Sequence, residues 1–545
     1  MVGKSLLGGL ESELGELRQR GDEEKARAAF NAPDEELTAV QSIDSQRSGW
    51  LGPDAELPAL ERPLREWSPL QKAIFADVGE GEGHTIVQAR AGTGKTSTII
   101  QALRHVPRGE STTLVAFNKS IARELEQQTP AGVTVKTMHA LGFGALRRQF
   151  GQLKVEEGKS RRMLTGVFTN RTNKQKRAAC RLASHAKALL WPTAKEREQA
   201  LGQMLTLLDR YWIADFDTDA EYEQVAEMGL WLLSEGLDVE KQNKEIDFDD
   251  MCWLPAMHNL SLYRSDRLFV DEAQDLSPCQ HWLVVRSVSR TGRLCAIGDD
   301  RQAIYQFRGA DENSMAVLGS QFHAKWLPLS ITYRCPKNVV ALVRAIVPDF
   351  EAAPNAPDGL VADATVDQMI EGAQPGDFIL SRANAPLLGH CLALLRRGVR
   401  ATVLGRNIGK SLASLVEKSQ QATVEGLCAY VRAWCEREQE RALRRDPEAD
   451  VGHFSDRRDC VLAITEDAGS IGEVLDRAER LFSDGDPLDC VTLATAHKAK
   501  GLERERVWLL RDTFLKRRLR AEENIFYVAA TRAQRELRMV RGPKS

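Results

Sequence analysis

The sequence predicts an α/β protein built on two parallel-sheet cores, each interrupted by a mainly helical insertion. Short apolar runs alternate with helix-like stretches along most of the chain, the rhythm of parallel strands joined by crossover helices. The runs fall into two sets: HTIVQ, TTLVAF, VTVKT, RLFVDE and RLCAIG, then WLPLSI, DFILS, ATVLG, CVTLAT, RVWLL and LRMVR. The length, 545 residues, also exceeds what one hydrophobic core accommodates.

In chain order, residues 1–60 form an N-terminal extension. Ser5 to Phe30 reads as one charged helix, and Asn31 to Pro63, rich in Pro, Asp and Glu, reads as a linker. The first core spans 61–145 and 245–325. Its insertion, 146–244, carries long helical periods such as KEREQALGQMLTLLDRYW. The second core spans 326–410 and 488–545, with a shorter helical insertion at 411–487.

Apolar residues make up 43% and charged residues 28%, ordinary for a soluble chain. A net charge of -3 does not announce a polyanionic partner, so basic residues must act locally. One cluster holds Lys159, Arg161, Arg162, Arg171, Lys174, Lys176, Arg177 and Arg181; another holds Lys516, Arg517, Arg518 and Arg520. Each reads either as a nucleic-acid contact or as a solvated helix face. The ten cysteines form no CxxC pair, which points to reduced thiols rather than zinc or disulfides. The N-terminal apolar patch is too short for a signal peptide and no apolar run reaches membrane-spanning length. The expected location is cytoplasmic, nucleoid-associated if the host is bacterial, with no membrane partner.

The stretch ARAGTGKT follows the strand HTIVQ and opens a helix. Ala89-x4-Gly94-Lys95-Thr96 fits a phosphate loop, with Ala where Gly is commoner. Gly92 and Gly94 let backbone N–H groups turn toward a phosphate chain, and Ala91, Thr93 and Ser97 complete the cradle at a helix N-terminus. Lys95 reaches the outer phosphates, and the Thr96 hydroxyl can ligate Mg²⁺. The plainer alternative is a tight strand-to-helix turn with an incidental lysine. RLFVDEAQD places Asp271 and Glu272 at a strand end. One carboxylate, Asp271, can hold Mg²⁺ through water, and Glu272 can orient and deprotonate an attacking water. Two adjacent buried acids repel unless a cation sits nearby, which weakens the alternative of a simple loop cap.

With these two segments as anchors, an ordered series of motifs over residues 64–541 resembles superfamily 1 DNA helicases of the UvrD/Rep/PcrA type. WSPLQKAIF resembles the Q motif, ARAGTGKT motif I, LVAFNKSIARELE motif Ia, and VKTMHALG the next DNA-contacting motif. EIDFDDM resembles the segment before motif II, VDEAQD motif II, GDDRQAIYQFRGA motif III, ITYRCP motif IV, TLATAHKAKGLE motif V, and EENIFYVAATRA motif VI. The AFNKSIA form of motif Ia is most similar to the F-box DNA helicase branch, although no F-box is apparent.

The resemblance implies two RecA-like P-loop domains that clasp ATP and Mg²⁺ between them. Gln71 would read the adenine edge, Tyr333 would stack on the base and Glu503 would contact the ribose. Gln302 would sense the γ-phosphate, while Arg334 and Arg532 would come from the second core as arginine fingers. On sequence alone, surface salt bridges would explain those two arginines equally well. Single-stranded DNA would be stacked by Phe117, Tyr305 and Phe307, and its phosphates held by Asn118, Lys119, Thr137, His139, Thr495, His497 and Lys500. Without the motifs the phenylalanines read as core and the histidines as core or surface residues.

Three departures stand out: the second insertion is much shorter than in UvrD, Arg504 replaces an aromatic after motif V, and the chain ends soon after Arg532, which predicts no C-terminal nuclease domain. The expected activity is 3′–5′ translocation on single strands with unwinding at single-strand/duplex junctions. Two alternatives remain: a strand-tracking ATPase that strips bound proteins, and a nucleotide-gated DNA-sensing subunit of a nuclease or defence complex. A protein partner is expected through residues 1–60.

Overall fold

The computed structural model describes residues 66–304, 313–445, 451–483, 488–514 and 520–542, except 195, 212, 215 and 217. The expected extension over 1–60, together with Tyr305, Phe307, Lys516, Arg517 and Arg518, lies outside the described residues.

Helix α1 (Pro69–Glu80) opens the described chain where Ser68 and Gln71 form a reciprocal capping box with Pro at the first position. Then come β1 (Thr85–Ala89), α2 (Lys95–Leu103), β2 (Thr112–Ala116), α3 (Lys119–Gln128), β3 (Val133–Thr137) and α4 (Met138–Phe150). The first helical insertion carries β4 (Lys154–Val155), α5 (Lys159–Val167), α6 (Asn173–Leu189), α7 (Arg197–Arg210) and α8 (Asp219–Gly236). The chain returns through β5 (Glu245–Ile246), α9 (Phe248–Met257), β6 (Ser265–Val270), α10 (Pro278–Ser287), β7 (Val288–Gly298), α11 (Ser314–Gln321) and β8 (Lys325–Leu329).

The first sheet runs β3-β2-β6-β7-β1-β8, every pair parallel. Its central strands are buried on both faces, as parallel sheets covered by crossover helices require. One expectation fails here. WLPLS was assigned with the second set of strands, but β8 pairs with β1 as the outer strand of the first sheet. An apolar run carries no label for the sheet it joins, and the short α11–β8 connection keeps it beside β1.

The second half begins with β9 (Ile331–Thr332), α12 (Lys337–Val343) and β10 (Glu351–Ala352). It continues with β11 (Leu360–Thr365), α13 (Val366–Gly372), β12 (Phe378–Ser381), α14 (Ala385–Arg396) and β13 (Ala401–Leu404). Its insertion is α15 (Arg406–Ser419), α16 (Val424–Arg445), α17 (Gly452–Thr465) and α18 (Ile471–Arg480), closed by β14 (Phe482–Ser483). The last elements are β15 (Val491–Thr495), β16 (Arg504–Leu510), α19 (Arg520–Ala530) and β17 (Ala533–Arg541). The second sheet runs β11-β17-β16-β12-β15-β13-β14, again all parallel. The fold is therefore α/β with two RecA-like parallel-sheet domains.

The two insertions touch. Tyr222 on α8 donates its hydroxyl to Glu438 on α16 at 3.1 Å, and Arg441 pairs with Glu438 at 2.9 Å and with Asp219 at 3.4 Å. The Arg441 guanidinium also lies 5.1 Å from the Tyr222 ring centre. Glu438 and Arg441 are both buried.

The basic cluster at 159–181 is not the open cationic face that its composition suggested. Lys159 is buried, with Nζ 2.6 Å from Asp250, and Lys187 binds the same carboxylate at 2.7 Å. Lys176 is buried and Arg162 pairs with Glu245. The acids of EIDFDDM thus neutralise part of the cluster internally, as buried ammonium groups require. Arg161, Lys174, Arg177 and Arg181 stay exposed.

Candidate nucleotide site

The carboxyl ends of the first sheet carry the site, the usual place for ligands on a parallel sheet. From β1 the chain turns through Arg90–Gly94 into α2. Gly92 and Gly94 take φ of 71° and 77°, the left-handed region that favours glycine. No side chain caps α2, so its first-turn N–H groups face the loop as an anion cradle. Ala91 and Thr93 are buried, Thr93 donating to the Arg90 carbonyl at 2.9 Å, whereas Thr96 is exposed and Ser97 partly so.

Lys95 Nζ lies 3.3 Å from Glu272. Burial opposes the Lys95 charge, but Glu272, Asp299 and Asp271 hold its pKa above the usual lysine value. Burial and the Glu272 charge push Asp271 well above the carboxylate range. At Glu272 burial is outweighed by Lys95 and Lys500, so its pKa falls. Glu272 also has φ of 50°, a strained value for a residue with a Cβ. Among the described residues no group of three or more His, Cys, Asp or Glu side chains forms a metal cage. Mg²⁺ takes one or two protein oxygens and completes its shell with phosphate and water. The exposed Thr96 hydroxyl and the Asp271 carboxylate, whose charge burial and Glu272 oppose, fit such a site.

The second core meets this loop directly. A Cβ added at Gly92 would come within 2.4 Å of Arg334 Cβ and 2.6 Å of Thr332 Oγ1. Tyr333 N–H donates to the Gly92 carbonyl at 2.8 Å. Arg334 pairs with Glu503, which also accepts from Gln534 at 2.9 Å. Arg532 is buried; its bonds among the described residues go to neutral oxygens, Val528 O at 2.8 Å, Leu502 O at 3.2 Å and Thr531 Oγ1 at 3.2 Å. Burial and the nearby Arg334 push its pKa down to about 10. The Arg334 charge thus opposes that of the buried Arg532, a repulsion that an anion between them would relieve.

Some assigned residues are engaged differently in this structure. Gln71 is buried; its Oε1 accepts Ser68 N–H at 3.1 Å and its Nε2 donates to Thr98 at 2.9 Å. Adenine would have to displace these bonds, because the capping box uses the same amide. Tyr333, 45% exposed, donates its hydroxyl to Gln71 Oε1 at 3.5 Å. Gln302 is buried and donates to Asp299 at 2.7 Å. Lys500, expected at a DNA phosphate, instead bonds Asp275 at 2.7 Å and the Gln302 carbonyl at 2.8 Å, linking motifs II, III and V.

Of the residues assigned to a nucleic-acid strand, Phe117, Asn118 and Lys119 are exposed at the end of β2. The register Ala116↔Thr137 sets Thr137 and His139 beside them. Asn118 and Thr137 also cap α3 and α4, their side chains accepting the Ile121 and Ala140 N–H groups. Thr495 is buried at the end of β15, and burial with Arg382 and Lys500 pushes His497 down to about 3.

Sequence reasoning missed several participants. Phe248, 47% exposed, lies edge-on to His139 with ring centres 6.4 Å apart. Tyr527 accepts the Ala91 N–H at 2.8 Å and donates to Asp299 at 3.2 Å. Arg90 binds Asp299, Asp300 and Asp349. The phenylalanine in EIDFDDM and the tyrosine in FYVAATRA were visible signals; partners so distant in sequence were not.

Family comparison decides the lineage. Residues 70–323 match the UvrD/REP helicase N-terminal domain, and residues 461–541 match the UvrD-like helicase C-terminal domain. The chain belongs to the UvrD-like helicase family. It is 26% identical over 295 residues to ATP-dependent DNA helicase Rep of Salmonella typhimurium, covering 49% of this chain and 41% of that protein. It is 26% identical over 499 residues to F-box DNA helicase protein 1 of Schizosaccharomyces pombe, covering 83% and 55%. Against F-box DNA helicase 1 of Gallus gallus the identity is 24%, covering 83% and 47%. The chain thus spans about half the length of these UvrD-like relatives. No described helix is long and apolar enough to cross a membrane.

Proposed function

We propose that the protein is an ATP-driven translocase on single-stranded DNA that unwinds duplex at single-strand junctions in the 3′–5′ sense. One observation carries the reading: Arg334 of the second core is packed against Gly92 of the first core's glycine loop, and the buried Arg532 lies close enough to feel the Arg334 charge. A triphosphate in that loop would lie between Lys95 and the two guanidiniums.

Lys95 and the α2 N-terminus bind and orient the outer phosphates. Thr96 and Asp271 would hold Mg²⁺, which neutralises phosphate charge when bound. Glu272, kept ionised by Lys95, accepts a proton from the attacking water at its carboxylate. Arg334 and Arg532 stabilise charge that develops on the transferring phosphoryl group. Tyr333 and Gln71 border the base, and Glu503 lies at the ribose side. Gln302, through Asp299 and Lys500, ties the phosphate end to motifs that precede the strand-contacting residues. Phe117, with Asn118, Lys119, Thr137 and His139, offers a stacking and phosphate-binding edge for a single strand.

The test is ATP turnover with and without single-stranded DNA, on wild type and Lys95→Ala, beside a tailed-duplex unwinding assay. Strong stimulation by the strand, abolished by the substitution, with unwinding from a 3′ tail, is expected. DNA-independent turnover would point to a nucleotide-gated regulatory subunit. Stimulation without unwinding would point to a motor that strips proteins from a strand.

A further inference from the structure

Arg90 occupies the second position of the glycine loop and none of the roles above uses it. Its side chain is 5% exposed. Nη1 reaches Asp300 at 2.7 Å and Asp299 at 3.5 Å, both at the end of β7 in its own core. The rest of the guanidinium faces the other way. Nε bonds Asp349 at 3.0 and 3.2 Å, and Nη2 bonds it at 3.0 Å, a bidentate fork. Asp349 sits between Val347 and Phe350, which pack in the second core's apolar cluster with Phe378 and Leu509. Ala91, the next loop residue, is in that same cluster.

We propose that the Arg90–Asp349 pair is a detachable latch across the nucleotide cleft that favours the closed, ATP-binding arrangement. The inference rests on the nucleotide reading above. Asp299 and Asp300 belong to the same core as Arg90, so they stay with it when the cleft opens and keep its buried charge paired. Asp349 belongs to the other side, and its side chain is 42% exposed, so it can leave into water at low cost. The three acids therefore divide the work: two make Arg90 tolerable in either state, and the third is a contact made only when the cleft is shut. A bond unique to one state shifts the population toward that state. If closure is needed for tight ATP binding, apparent affinity falls with the closed fraction. Arg90 and Asp349 are positioning residues, since neither touches the reacting atoms.

Asp349→Asn in the full chain is the primary test, read by ATP titration of strand-stimulated turnover. The latch predicts a KM for ATP raised about three- to tenfold with kcat within about twofold, and an unchanged melting temperature. Arg90→Lys, which keeps the charge but not the fork, should raise KM to a similar level. The double variant should be no worse than Arg90→Lys alone, because that substitution already removes the fork to Asp349. An unchanged KM in Asp349→Asn, or additive effects in the double variant, would overturn the latch. If the wild-type protein binds no ATP at all, the nucleotide reading itself fails and the latch with it.

Discussion

The hydroxyl of Tyr527 accepts the Ala91 N–H at 2.8 Å, so a side chain of the second core satisfies a backbone donor of the first core's glycine loop. The same hydroxyl donates to Asp299 at 3.2 Å, and the ring packs edge-on against Phe350 with centres 5.7 Å apart. Tyr527→Phe would keep the ring and delete both bonds. A buried N–H left unpaired costs about 1–3 kcal/mol. The expected result is a melting temperature lower by about 2–6 °C, measured calorimetrically. No change would mean that Ala91 finds another acceptor.

Gly92 is the tightest point between the cores. An alanine there would combine an unfavourable left-handed φ with a Cβ at 2.4 Å from Arg334 Cβ. Neither contact is the end of a flexible side chain, so the loop and the 332–334 segment must separate. Gly92→Ala should cut ATP turnover by about a hundredfold or more while the far-ultraviolet circular dichroism stays native, given that small misplacements of catalytic groups cost that much. Turnover within a few-fold of wild type would show that the cores need not meet there.

Acid should loosen the fold before it protonates the surface carboxylates. Burial, aided by Arg181, pushes His185 down to about 4, and burial with Arg382 and Lys500 pushes His497 to about 3. An unfolded histidine titrates near 6.5. The unfolded chain therefore binds more protons between those values, so the contribution is whole above about pH 6.5 and is lost as pH falls toward 4. His185 stacks on Tyr211 at 4.5 Å, so His185→Phe can retain the packing. Its melting temperature should fall less between pH 7.5 and 5 than that of wild type; parallel curves would contradict the assignment.

Glu438→Gln probes the joint between the insertions. It removes the buried carboxylate that Arg441 shares with Tyr222, leaving Asp219, itself 65% exposed, as the remaining acid. Breaking a buried pair by removing one partner costs about 3–5 kcal/mol. The α8–α16 contact should become susceptible to limited proteolysis, and Arg441→Met in the Glu438→Gln background should recover much of the loss. Equal protease resistance in wild type and Glu438→Gln would argue against it.

Features that depend on neighbours in sequence were readable in advance. The alternation of strands and helices, the glycine loop opening α2, and the acid pair ending β6 each lie within a few consecutive residues. What spacing alone did not yield is how remote segments meet. That Arg334 would come from the second core to the nucleotide was read only through family resemblance, and its approach to Gly92 was not foreseen. That Lys159 and Lys187 are buried against Asp250 was hidden because a run of cations reads as solvated unless its counter-charges, far off in the chain, are known. Arg90 and Asp349 escaped notice for the same reason, as did the internal use of Lys500. The placement of β8 failed because two adjacent sheets compete for any apolar run.

The joint through Tyr222, Glu438 and Arg441 changes what kind of machine the two cores make. Bodies hinged at one place can swing in many directions. Here a second attachment stands apart from the cleft, so the pair behaves as a linkage with two pivots. Any relative movement that keeps this joint intact must turn about it as well as at the cleft, which bars one core from swinging free of the other.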